Sequence, residues 1–328
     1  MPSSLRVGLI GAGGMGQEHI NRMRSFEEAS IEALADPDSK GIEAIKKHFP
    51  HLADCPAYAS HREMLKKGGL DAVIIASPHN AHLEQIVDAL RAGLHVLTEK
   101  PMVCTAEDAR TVMEEEKRSG KLVAISYQRH SQGEFVFMKK CIESGATGQV
   151  EFISAFQGQD WLKACAGTWR QNLAISCGGQ LNDSGSHLID IMLWVTGLQA
   201  RKVTAGICNF EREVDIDSSL SIEFTNGALG SIAVVGNCPV FWEDITIICS
   251  EWAFFLRQGR LTYCTGRRGE MMSLQNTLYG SGQSPDRNFV NAILGREQVL
   301  APSICGLRTI ELTEAAWKSA ERGEPVWL

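Results

Sequence analysis

A chain of 328 residues is long for a single hydrophobic core, so two domains are expected. The composition, 44% hydrophobic and 22% charged, is that of a soluble globular protein, and no apolar run approaches the roughly 20 residues that span a bilayer. A formal net charge of −7 without a basic cluster argues against a nucleic-acid or anionic-membrane partner.

The first residues show no basic segment followed by an apolar stretch and a cleavage site, so an unprocessed, cytoplasmic protein is expected. Ten cysteines include no C-x-x-C pair, which favours buried reduced thiols over a disulfide framework. His48/His51 and His79/His82 are each three apart but have no third ligand nearby in sequence, so no metal site is expected.

In chain order, Leu5 to Ile10 reads as a strand that runs into Gly11-Ala-Gly13-Gly-Met15-Gly16 and a helix-compatible run from Gln17 to Met23. In the nucleotide-binding form of this turn, Gly11 allows the tight bend and Gly13 the approach of a pyrophosphate. Gly16 allows close helix packing. The helix start offers unpaired N–H groups to the phosphates. A second strand, Ile31 to Ala35, ends at Asp36, 20 residues beyond Gly16, where a carboxylate can bind the adenine ribose hydroxyls. Asp36, with Asp38 and no arginine beside it, favours NAD over NADP.

A helix (Ser39 to His48), a short segment at Ala57-Tyr58 and a helix (His61 to Lys67) precede the apolar strand Asp71 to Ala76. Then come a helix over Ala81 to Ala92, a strand His95 to Thr98, a helix Thr105 to Ser119 and a strand Leu122 to Ile125. This alternation predicts a Rossmann-type, doubly wound parallel sheet over residues 1–125.

Residues 126–328 read differently. A helix (Glu134 to Ser144), a strand (Gln149 to Phe156), a Gly-, Trp- and Cys-rich loop and a long helix from near Leu181 come first. Successive strands follow from Lys202 to Thr265, with a hairpin at Asn226-Gly227, and two helices, Asp286 to Leu294 and Gly306 to Ala320. The pattern predicts an α+β domain on a large, mostly antiparallel open sheet. Apolar residues on both phases of Ile245 to Cys249 and Trp252 to Leu256 predict a sheet covered on both faces, one of them by a second subunit.

Ligands of open α/β sheets bind beyond the carboxyl ends of the strands. Two loops fall there: Ser77-Pro78-His79-Asn80-Ala-His82, and Glu99-Lys100-Pro101. Pro78 and Pro101 can wall a flat ring, and Lys100 can stabilise an alkoxide or polarise a carbonyl. A second constellation is Gly178-Gly179 with Asp183, Gly185, His187 and Asp190. If helical, Asp183 and His187 share a face and Asp190 continues it. Histidine moves protons near neutral pH and a carboxylate can orient it; a capping Asp183 with a packed His187 is the alternative. Trp161, Trp169, Arg170 and Tyr279 are candidate pocket-lining residues.

With these motifs in place, nearly the whole chain resembles the glucose–fructose oxidoreductase / inositol dehydrogenase (Gfo/Idh/MocA) family. The resemblance rests on the glycine turn, Ser77-Pro78…His82, Gly93-Leu-His-Val-Leu-Thr-Glu99-Lys100-Pro101, Gly178-Gly179…Asp183-x-Gly185-x-His187…Asp190, and Ser319…Gly323-Glu-Pro-Val326. It implies hydride transfer between a nicotinamide dinucleotide and a secondary alcohol or ketone of a sugar or cyclitol. It implies catalytic roles for Lys100, Asp183 and His187, and a homodimer or homotetramer built through the second-domain sheet. It adds Met15, Ser77, Pro78, Asn80, His82, Glu99, Lys100 and Gln128 to Gly11, Gly13, Gly16 and Asp36 as cofactor-binding residues. Two departures stand out. His79 precedes Asn80 where the family often has Asn alone, so both are candidates for the nicotinamide contact. His130-Ser-Gln-Gly replaces a run toward proline beside the substrate.

The expected activity is NAD-dependent oxidation of a sugar or cyclitol hydroxyl. One alternative is a redox-neutral, NAD-using glycoside-cleaving or epimerising variant. Another is a non-catalytic dinucleotide sensor, which would need none of Lys100, Asp183 and His187.

Overall fold

The computed structural model describes residues 4–275 and 282–328; Tyr279 lies outside the described residues. The chain forms two compact units, residues 1–127 with 283–306, and residues 128–282 with 307–328. This differs from a single cut at 125. Residues 283–306 return to the first unit, where Asp286 is completely buried against His19.

The first unit holds six strands: β1 (Leu5–Ile10), β2 (Ala29–Ala35), β3 (Ala57–Tyr58), β4 (Ala72–Ile75), β5 (His95–Thr98) and β6 (Val123–Ile125). They form one parallel sheet in the order β3-β2-β1-β4-β5-β6. The order reverses beside β1, which places the start of helix Gly14–Met23 at a topological switch point. β4 is wholly inaccessible, as a strand covered on both faces must be. Local signals set the helix limits: Thr105 Oγ1 accepts the Asp108 N–H at the start of Ala106–Ser119, and Gly120 ends it in the left-handed region.

The second unit is built on nine strands: β7 (Val150–Gly158), β8 (Ala200–Cys208), β9 (Asp217–Phe224), β10 (Leu229–Val235), β11 (Trp242–Cys249), β12 (Trp252–Arg257), β13 (Arg260–Thr265), β14 (Met271–Ser273) and β15 (Val326–Trp327). Their order is β14-β13-β12-β11-β7-β10-β9-β8-β15, antiparallel except between β7 and β10. Alternation along the strands sends Ile153, Leu220, Ile222, Ile232, Ile245, Ile247 and Phe254 to one face. There they pack with Leu188, Ile189, Ile191 and Met192 of helix Gly185–Thr196. That helix starts at Gly185, later than expected, because residues 181–184 form turns. In the β9–β10 hairpin only Gly227 adopts a positive φ, while Asn226 Oδ1 accepts the Ala228 N–H.

Among the described residues, Cys55, Cys141, Cys165, Cys208, Cys238, Cys249, Cys264 and Cys305 carry reduced thiols. Of these only Cys55 and Cys249 are buried and Cys208 is exposed, so burial does not account for the set. No described helix is long and apolar enough to cross a membrane.

Candidate functional site

In the first unit the glycine turn is built by sterics. A Cβ on Gly11 would come within 2.6 Å of the Ala76 backbone and one on Gly16 within 2.1 Å of the Gly11 carbonyl oxygen. A Cβ on Gly13 would meet no protein atom within 4 Å, so this backbone faces open space. Gly13 is the N-cap of helix Gly14–Met23 and offers no side-chain cap, and Gly13, Gly14 and Met15 are exposed. The Gly11 N–H donates to the Ala35 carbonyl, which joins the turn to the end of β2. There Asp36 Oδ2 accepts the Ala12 N–H at 2.6 Å and Oδ1 accepts the Asp38 N–H at 2.8 Å. Both carboxylate oxygens retain lone pairs for further donors. An uncapped helix start, an open Gly13 and an oriented carboxylate fit the phosphates and ribose of a dinucleotide.

The loop after β4 is pinned from inside. His82 is fully buried, with Nε2 3.0 Å from the Ser77 carbonyl oxygen and Nδ1 2.9 Å from that of Pro101. Burial, opposed by both carbonyls, lowers its pKa. Ser77 Oγ donates to Gln85 Oε1 at 2.6 Å. His79 is buried and Asn80 exposed. His82 thus ties the 77 and 101 loops together from the interior.

After β5, Glu99 is buried and Lys100 half-buried, with a cis peptide at Lys100–Pro101. The Lys100 backbone N–H donates to Glu99 Oε2 at 3.3 Å. Glu99 Oε1 lies 3.2 Å from His19 Nε2. Burial alone would raise the Glu99 pKa, but His19, Lys100 and Ser126 pull it down to about 2.

In the second unit, Gly179 and Leu181 donate backbone N–H groups to Asp215, at 2.9 Å to Oδ1 and 2.7 Å to Oδ2; Trp317 Nε1 also donates to Oδ1, at 2.9 Å. A Cβ on Gly179 would fall 1.9 Å from the Asp215 carbonyl oxygen, which explains the glycine there. Asp183 lies in the turn before helix Gly185–Thr196, so the expected shared helix face with His187 does not form. Nor does Asp183 cap the helix; Ser184 holds that position without a side-chain capping bond, its Oγ accepting Gln159 Nε2 instead. Asp183 is buried, and its Oδ2 accepts Trp161 Nε1 at 2.9 Å and Arg170 Nε at 3.1 Å. Trp161 is buried, and the Arg170 guanidinium lies 4.6 Å over the Trp169 ring. His187 is half-buried on the first turn of the helix.

Asp190 does not continue an Asp183–His187 stripe. It is paired with His130 at 2.7 Å, and the His130 ring lies 4.3 Å from Trp194. Gln128 is exposed at the start of the turn Gln128–Ser131. A further polar group brings Arg129 Nη2 and Gln157 Nε2 onto Glu243 Oε2, at 2.6 and 3.2 Å. Neither this group nor Asp215 carries a local sequence signal. A cavity of about 540 Å³ in this unit is lined by Trp317, Asp215, Cys177, Gly178, Glu213 and Glu321, among others, and not by Asp183 or His187.

The family model described as "Oxidoreductase family, NAD-binding Rossmann fold" matches residues 5–127, and that of the GFO/IDH/MocA C-terminal domain matches residues 135–254. This chain belongs to the Gfo/Idh/MocA oxidoreductase family. The rhizopine catabolism protein MocA of Rhizobium meliloti is 32% identical over 192 residues, covering 58% of this chain and 57% of that protein. Inositol 2-dehydrogenase of Corynebacterium glutamicum (strain R) is 30% identical over 199 residues, covering 60% and 56%. The match thus spans little more than half the length of these two relatives. D-Glucoside 3-dehydrogenase of Escherichia coli (strain K12) is 25% identical over 353 residues, covering 99% of this chain and 98% of that protein. The solved structure of the WlbA dehydrogenase from Bordetella pertussis, in complex with NADH and UDP-GlcNAcA, has a TM-score of 0.87 at 22% identity, covering 100% and 98%. At that identity the likeness speaks for the fold.

Proposed function

We propose that this chain is an NAD-dependent dehydrogenase acting on a secondary alcohol of a sugar or cyclitol. The observation that carries the cofactor half is the Asp36 carboxylate held by the Ala12 N–H beside the exposed Gly13–Met15 turn. A fixed carboxylate there suits the two ribose hydroxyls of NAD and repels the 2′-phosphate of NADP. Family membership and the full-length likeness to a glucoside 3-dehydrogenase support the alcohol half.

When bound, NAD supplies an acceptor for the hydride of the carbinol carbon. The chain's own groups handle the proton and the charge. His187 takes the hydroxyl proton, and the Lys100 cation stabilises the developing alkoxide. Asp183, fixed by Trp161 and Arg170, orients His187 or grips a neighbouring hydroxyl. Incubating the protein with NAD and a library of sugars and cyclitols tests the proposal: NADH must form with at least one member.

We also infer a homodimer or homotetramer through the outer face of the nine-stranded sheet. Leu229, Phe152, Ile248 and Ala253 sit in register across β10, β7, β11 and β12 on the face away from the helices. Leu229 and Phe152 are 52% and 38% exposed, an apolar row that a second copy would cover.

A further inference from the structure

His19 lies on helix Gly14–Met23, just past the glycine turn, and its side chain is completely buried. Its Nδ1 is 2.6 Å from Asp286 Oδ1 and its Nε2 3.2 Å from Glu99 Oε1, so both ring nitrogens face carboxylates. Nδ1 is hydrogen-bonded to Asp286, while Nε2 and Glu99 Oε1 lie at ion-pair distance, an attraction that the doubly protonated ring provides. All three residues belong to the first unit.

Three charged groups buried together are an expensive way to hold two helices and a strand end. Apolar side chains of similar volume would serve stability as well. What apolar packing would not do is hold Glu99 by one oxygen while the other accepts the Lys100 N–H. We propose that His19 and Asp286 are positioning residues that fix Glu99 and, through it, set the orientation and electrostatic surroundings of Lys100. This rests on reading Lys100 as the group that stabilises the substrate oxygen.

The charged surroundings agree. Burial opposes the His19 cation, but Asp286, through its charge and then its hydrogen bond, and Glu99 raise its pKa to about 9. Asp286 also faces Arg22 Nη1 at 3.4 Å, and Arg22 Nε is engaged by Glu18. Glu99 feels Lys100 and the Ser126 hydrogen bond, and its charge in turn acts on the buried His82 ring. Removing the His19 cation therefore leaves Glu99 less neutralised and increases the negative charge that the Lys100 ammonium feels.

The test needs no substrate. Lysines of the full chain are reductively methylated with carbon-13, and the Lys100 resonance is assigned by its loss in Lys100→Ala. Its resonance is followed by NMR at about pH 7 to 8, where the His19 ring is charged, in the wild type, His19→Gln and Asp286→Asn. The expected result is a displaced Lys100 resonance in His19→Gln and broadening in Asp286→Asn. An unmoved resonance in a folded variant overturns the proposal. Nitrogen-15 NMR of the wild type guards against variants that do not fold: His19 must show both N–H protons up to about pH 8, and a neutral ring there overturns it. Failure of the catalytic reading looks different: Lys100→Ala would retain activity while the Lys100 resonance still responded to His19.

Discussion

The Ala12 N–H donates to Asp36 Oδ2 at 2.6 Å, joining the glycine turn to the end of the second strand. The same carboxylate supports the turn and offers lone pairs outward. Asp36→Ala should therefore weaken NAD binding roughly tenfold, a loss of about 1.4 kcal/mol, and narrow the preference over NADP. Fluorescence titration with both cofactors measures it; tighter NADP binding by the wild type would reverse the cofactor assignment.

Asp183 and His187 separate by their kinetics. His187→Ala should lower kcat by roughly 10² to 10⁴-fold with NAD affinity almost unchanged. Asp183→Asn should lower kcat alone if Asp183 only orients His187, and raise KM as well if it grips a substrate hydroxyl. Retention of more than about a tenth of wild-type kcat in a folded His187→Ala would remove histidine from the proton transfer.

Asp215 is a structural carboxylate with three donors on it. Asp215→Ala strands the buried N–H groups of Gly179 and Leu181 and the indole N–H of Trp317, at a cost of about 3 kcal/mol. Denaturant unfolding should show that loss. A change below about 0.5 kcal/mol would mean the loop closes without the carboxylate.

The His19 trio gives the first unit a pH signature. The His19 pKa is raised from 6.5 to about 9, so its contribution is complete below 6.5 and disappears as pH rises through about 9. The Glu99 pKa is lowered from 4.5 to about 2, so its contribution is present above 4.5 and disappears as pH falls through about 2. The melting temperature should be flat between these limits and fall toward pH 9. His19→Gln should flatten the alkaline fall.

Much of the first unit is legible in the sequence because its devices are local. A glycine turn, a strand-end acid, helix caps and unbroken apolar runs each lie within a few residues of the element they shape. The candidate-site contacts that the sequence conceals are long-range. His19 meets Asp286 across 267 positions and Gly179 meets Asp215 across 36, and no spacing rule links such pairs. A shared Asp183–His187 face needs a helix that begins near Leu181. The chain instead turns, with the Asp183 N–H on the Gly179 carbonyl, and the helix begins at Gly185. By spacing Asp190 continues that face, but its partner is His130, 60 positions earlier. The edge strand Val326–Trp327 is too short to show a period of two.

Mutating the outer sheet face addresses assembly. Light scattering at micromolar concentration should give a dimer or tetramer, and Leu229→Glu with Phe152→Glu should yield monomers. A monomeric wild type would contradict the inferred interface.

The most direct test of the dehydrogenase reading uses a responsive sugar or cyclitol carrying deuterium on the carbon to be oxidised. The expected result is reduced NAD accumulating in solution one-to-one with the ketone product and carrying that deuterium. Conversion of the substrate without accumulation of reduced cofactor would contradict net oxidation and point to a redox-neutral cycle.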